Sequence, residues 1–314
     1  MNILIVDNSR IPVEKYGGVE RVIWWLGKEL VKKGHRVSYL VADGSECPFG
    51  DIYVINEEVD FNDQIPDGTD VVHFNFPVDG ELKCPYLITH HGNYPPLIKY
   101  NRNTVFLTKN HAERYNSETY VYLGLDLDEY GPVNWEQKRD YFLFLGHSQK
   151  AVKNLKGCIE IAGRLNERLG VIGGEGVSDK VDYFGFIGGS EKSYHINGSK
   201  ALLFPVLWHE PFGLAITESL YFGLPVFGSA YGSLPELIGE FGVASNDLET
   251  IIEGAANYNE YNRRGCHEYV CDYFSAEKMT NEYLKLYEKV MNKEFLNDKA
   301  PICIPNYSNS LVLH

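Results

Sequence analysis

Residues 204–238 read FPVLWHEPFGLAITESLYFGLPVFGSAYGSLPELI. It opens on an apolar run that suits a strand buried on both faces, then passes through Glu210, Pro211, Phe212 and Gly213. Leu214, Ile216, Leu220 and Tyr221 follow at helical spacing, Gly223 stands where that helix would stop, and 224–227 begins a second apolar run. The unit is strand, helix, strand. The first amides of a helix have no partner within it and carry the positive end of its dipole, so they suit a phosphate. Gly213 leaves out the side chain that would hold a ligand off that backbone. Glu210 lies just before the helix and Glu218 one turn inside it. Eight helical residues span roughly 12 Å, whereas the carboxyl pairs of glycoside hydrolases sit about 5 to 9.5 Å apart. The spacing therefore speaks against hydrolysis. It fits an elongated ligand with phosphates on the helix start, and a nucleotide diphosphate sugar has that shape.

The segment His209-Glu210-Pro211-Phe212-Gly213-Leu214, with Glu218-Ser219, Gly223-Leu224-Pro225-Val226 and Gly232-Ser233-Leu234-Pro235-Glu236, resembles the donor-site signature of the retaining family 4 glycosyltransferases of the GT-B fold. That resemblance implies two Rossmann-like α/β domains facing across a cleft. It also implies transfer of a sugar from a nucleotide diphosphate sugar, such as a UDP- or GDP-sugar, to an acceptor hydroxyl with retained configuration. By the same resemblance Glu218 holds the ribose and Glu210 lies by the transferred sugar. The amides of Phe212, Gly213 and Leu214 meet the diphosphate, and a phosphate oxygen of the leaving group acts as base. No metal and no further cofactor is expected.

The other expected site residues lie at ends of predicted strands. Thr89-His90-His91-Gly92 matches a family element with His91 as its functional histidine, and Gly17-Gly18 matches the paired-glycine loop at the start of the first long helix. Gly185-Phe186-Ile187 resembles the loop whose backbone reads the nucleotide base. At Gly146-His147 the family carries glycine-arginine with a lysine shortly after. Here His147 stands in the arginine's place and Lys153 comes one residue late. Lys153 is the better candidate to neutralise the diphosphate, with Lys150 or His147 supplying what the arginine would have given. Charge at this point is needed because a departing diphosphate must be stabilised by side chains and amides where no metal does so.

The chain has 314 residues, 44% hydrophobic and 23% charged, enough for two soluble domains. The expected division is 1–130, an acceptor-side domain, and 131–275, a donor domain. A helix at about 276–295 packs back on the first, and a tail follows at 296–314. A net charge of −14 argues against a nucleic-acid partner. It leaves open only weak peripheral membrane contact through Lys28, Lys32, Lys33 and Arg36. Met1 opens a strand rather than a signal peptide, and no apolar run approaches the roughly 20 residues of a membrane span. The six cysteines lack zinc-site spacing and read as free thiols of a cytoplasmic protein. Lack of a GxGxxG after the first strand speaks against a dinucleotide oxidoreductase. A nucleotide-sugar epimerase, or a non-catalytic partner that binds nucleotide sugar, is the alternative reading.

Overall fold

The computed structural model describes residues 1–15, 17–78, 80, 82–93, 100–304 and 313. The chain crosses between two compact units after Leu125 and again after Ser275, and Glu14 and Lys15 group with the second unit. The first crossing falls five residues before the expected 130/131. Leu127–Tyr130 forms a helical turn, and Tyr221 donates to the carbonyl oxygen of Gly131 at 2.7 Å, so this turn packs with the second unit.

The first unit carries six parallel strands, β1 (Asn2–Val6), β2 (Arg36–Val41), β3 (Asp51–Val54), β4 (Val71–Phe74), β5 (Tyr86–Thr89) and β6 (Thr104–Val105), in the order β3-β2-β1-β4-β5-β6. The all-apolar 3–6 segment of β1 is fully buried, as a central strand covered on both faces requires. Helix α1 (Val19–Lys32) turns Val22, Ile23, Leu26 and Leu30 inward, and α2 (Phe61–Gln64) and α3 (Lys109–Glu113) are single turns capped by Asp60 and Thr108. Of the basic residues around α1, Lys32 pairs with Glu29, Lys33 with Glu277 and Arg36 with Asp51.

The second unit repeats the plan. It opens with α4 (Leu127–Tyr130). Strands β7 (Tyr141–Leu145), β8 (Leu169–Ile172), β9 (Val181–Gly185), β10 (Ser199–Phe204), β11 (Val226–Gly228) and β12 (Gly242–Ala244) are parallel in the order β12-β11-β10-β7-β8-β9. Its remaining helices are α5 (Leu155–Arg164), α6 (Gly189–Asn197), α7 (Leu214–Tyr221), α8 (Leu234–Ile238), α9 (Leu248–Ala256) and α10 (Arg263–Tyr273). Sequence periodicity extends α5 to residue 169 and joins 255–273 into one helix, and the structure corrects both. Asn166 takes a left-handed φ of 54° just beyond α5. Asn262 restarts the chain as α10 by accepting the Gly265 N–H at 3.0 Å.

Helix α11 (Ala276–Met291) returns to the first unit and packs on α1, β4 and β5. A buried polar chain fastens it there. His73 Nδ1 lies 2.7 Å from the Tyr287 hydroxyl, His73 Nε2 lies 2.7 Å from Thr89 Oγ1, and Thr89 Oγ1 lies 2.9 Å from the Tyr283 hydroxyl. The start of the expected patternless tail is also anchored. Asn297 donates to the carbonyls of Arg102 and Thr104 at 2.8 and 2.9 Å, and the N–H groups of Ile302 and Ile304 donate to the carbonyls of Tyr115 and Arg114. The rest of that tail, 305–312 and 314, lies outside the described residues, as does Tyr16.

This unit buries several imidazoles in the neutral state. Burial holds His73 and His90 down at about 3, with the neighbouring His91 adding to the effect, and pushes His111 well below its ordinary range. Unfolded, each takes a proton near pH 6.5. The unfolded chain therefore binds more protons below that pH, and the stability held by the neutral form, full above about 6.5, drains as pH falls toward the folded values. Thermal melts are expected to show a midpoint level from pH 8 to 7 and falling from 6.5 to 5. A flat profile over that range would contradict the burial of these rings.

Candidate functional site

In the second unit the carboxyl ends of β7 and β10 bring Lys153 to Glu210. Leaving β7, the chain passes Gly146, His147 and Ser148, turns back with the Lys150 N–H on the His147 carbonyl at 3.0 Å, and enters a 3-10 turn at Ala151–Lys153. Two bonds fix this loop to the exit of β10. The Leu207 N–H reaches the Val152 carbonyl at 2.8 Å, and Asn154, left-handed at φ 54°, donates from Nδ2 to Pro205 O at 2.8 Å while capping α5. Lys153 is thereby aimed at the segment before α7. Its Nζ lies 2.5 Å from Glu210 Oε2, with side-chain exposures of 14% and 8%, and sits 4.8 Å from the centre of the Trp208 ring. Trp208 Nε1 donates to the same oxygen at 2.8 Å. A lysine and an indole thus converge on one oxygen and fix the direction of the other.

Backbone geometry holds Glu210 from the far side. Its main chain bridges Gly232 in parallel, and the Ser233 N–H bonds the Glu210 carbonyl at 2.9 Å. Ser233 Oγ donates to Phe212 O at 2.6 Å. Gly213 (φ 91°, ψ 70°) then starts α7 with no side chain capping it, a left-handed conformation that favours glycine, so the first amides of α7 are not covered by a residue of the cap. Leu214 is the first residue of that helix. Glu218, 4% exposed, receives hydrogen bonds on Oε1 from the Tyr130 hydroxyl and from Lys192 Nζ.

The glycine loop at 185–187 lies beside the turn that carries His147. Gly185 accepts the Gly173 N–H at 2.8 Å, and the Phe186 ring stands 5.3 Å from that of His147. Ile187 is half-buried, and Lys150 is exposed on its turn. Lys153 is the cation that the 147–153 loop brings to Glu210. Sequence reading missed three of the partners: Trp208, Lys192 and the Tyr130 hydroxyl.

In the first unit, His90 and His91 part company. His90, 1% exposed, packs among Tyr100, Phe106, His111 and Tyr115. His91 lies at the carboxyl end of β5, where its Nε2 is 2.9 Å from Asn75 Oδ1, and Asn75 Nδ2 donates to Val6 O at 3.1 Å. Burial lowers His91 to about 4, so it is a neutral hydrogen-bonding imidazole at physiological pH. Gly18 caps α1 in an ordinary right-handed conformation (φ −87°). At Gly17 the need is for space: a Cβ would stand 2.8 Å from the Glu20 carboxylate and 2.9 Å from Val13. Among the described residues no group of three or more His, Cys, Asp or Glu side chains is placed to hold a metal ion. No helix among them is long and apolar enough to cross a membrane.

Residues 130–257, which contain this cluster, match the family described as glycosyl transferases group 1. An uncharacterized 41.2 kDa protein in cps region of Klebsiella pneumoniae is 25% identical over 170 residues, which are 49% of this chain and 47% of that one. The match thus spans about half the length of that relative. Among solved structures, AviGT4, a glycosyltransferase involved in Avilamycin A biosynthesis, superposes with a TM-score of 0.76 at 17% identity, covering 93% of this chain and 98% of its own. HepE of Anabaena, in complex with UDP and glucose, superposes with a TM-score of 0.67 at 12% identity, covering 92% and 100%. The fold is GT-B.

Proposed function

We propose, from a GT-B chain whose residues 130–257 match glycosyl transferases group 1, that this protein moves a sugar from a nucleotide diphosphate sugar to an acceptor hydroxyl with retained configuration. The observation that carries the reading is the buried Lys153–Glu210 pair, braced by Trp208, immediately before the uncapped start of α7. A carboxylate fixed in this way can orient sugar hydroxyls and ease positive charge as the ring flattens. A lysine and helix amides beside it can take the charge of the departing diphosphate. The bond from the anomeric carbon to the diphosphate breaks, the acceptor oxygen bonds to that carbon on the same face, and the hydroxyl proton passes to a diphosphate oxygen. Glu218 takes the ribose and the 185–187 loop the base. No metal takes part in this scheme. UDP as the nucleotide is supported by the UDP complex of HepE, and a role in cytoplasmic polysaccharide or glycoconjugate assembly by the cps region named for the relative.

A thermal-shift screen with UDP, GDP, ADP, CMP and their common sugar conjugates tests this reading. One diphosphate series is expected to stabilise the protein, by about 2.7 kcal/mol at a hundred times its Kd. Donor consumption that depends on added acceptor then separates transfer from epimerisation and from binding alone. No shift with any nucleotide would overturn the donor site.

A further inference from the structure

We propose that Lys192 is a positioning residue that aims the Glu218 carboxylate at the ribose diol of the donor, and so sets the preference for ribonucleotides. The inference rests on the donor-site reading above and adds a residue to it. Lys192 lies in α6, on the same face as the buried Ile196 one turn later, a position where periodicity calls for an apolar side chain. It is 9% exposed, and its Nζ lies 2.5 Å from Oε1 of Glu218, itself 4% exposed. Tyr130 donates to that same oxygen. With both donors on Oε1, the orientation of Oε2 is set by the fold.

The pair has no good structural explanation. Removing two charges from water costs as much as their attraction returns, and well-packed apolar residues at such sites stabilise a fold as well or better. An ammonium retained at an apolar helix position, against a carboxylate beside the start of α7, is better accounted for by a ligand. Its placement also ties two parts of the donor site together. The Lys192 N–H bonds the carbonyl of Gly188, the cap of α6, and Gly188 directly follows the 185–187 loop. Lys192 therefore links the loop assigned to the base with the carboxylate assigned to the ribose.

The test compares binding of UDP, GDP and ADP, each as the ribonucleotide and the 2′,3′-dideoxy form, by calorimetry. Wild-type protein is expected to prefer the ribo form of its nucleotide by roughly ten- to a hundredfold, the scale of hydrogen bonds to a charged group. In Lys192→Met this ratio should fall to within about threefold of unity while affinity for the dideoxy form holds, and Lys192→Arg should recover part of it. A role confined to holding α6 would weaken both forms equally, which would overturn the proposal, as would an unchanged ratio. Should Lys192→Met fail to fold, Lys192→Gln carries the same comparison. Absence of binding by the wild-type protein to any of the six would overturn the donor site itself, an outcome distinct from failure of the Lys192 assignment.

Discussion

Glu210→Gln is expected to lower glycosyl transfer by about 10²- to 10³-fold, the scale of losing one preorganised electrostatic group in a water-poor site. The amide keeps the shape of the side chain and an oxygen for Trp208 and Lys153, but it removes the negative charge that would face the developing positive charge on the sugar. Lys153→Ala should cost a similar amount by exposing the leaving diphosphate to its own charge. Because the two side chains touch at 2.5 Å, their effects should not add: the double variant is expected to be about as slow as the worse single one. Glu210→Gln also leaves a largely buried ammonium without its counter-charge, a loss of about 3 kcal/mol, within the stability of an ordinary domain. Steady-state rates with excess donor, alongside thermal melts, read both effects. Rates within about threefold of wild type in both single variants would sink the assignment of this pair.

Gly232→Ala should be nearly as damaging, although residue 232 takes no part in the chemistry. Its φ is +66°, and a Cβ there would stand 2.4 Å from both the nitrogen and the oxygen of Glu210. The left-handed strain alone costs on the order of 1–3 kcal/mol. The collision can be relieved only by moving the backbone that carries the carboxylate, and a displacement near 1 Å is worth about a hundredfold in rate. Gly239→Ala is the control. It shares a left-handed φ of +52° but has nothing within 4 Å of the added carbon, so it should lose stability and keep its turnover. Equal loss of turnover in both variants would show that unfolding, not displacement of Glu210, lowers the rate.

The central unit was legible because its signals are local. Glu210, Gly213 and Glu218 are set by a strand end, a helix start and one turn of helix, all within nine residues of sequence, and the alternation of apolar runs with helical spacing specifies a parallel sheet around them. Lys153 could be picked out by charge, just before a predicted helix. Element limits were less legible: α5 stops early at a left-handed Asn166, and the helix expected over 255–273 is interrupted before Asn262 recaps it. Those choices depend on asparagine side chains competing for backbone groups, which periodicity does not register.

By itself the sequence determined two parallel α/β units, a phosphate-suited helix start and the two carboxylates that flank it, because hydrophobic period, glycine and helix geometry act between near neighbours. Only the tertiary structure decided what those carboxylates touch. Lys153 is 57 residues from Glu210, Tyr130 is 88 from Glu218 and Lys192 is 26 from it. A buried charge is tolerated only beside its partner, and that partner is chosen by how strands and loops converge at the carboxyl ends of the central strands, which no local pattern encodes.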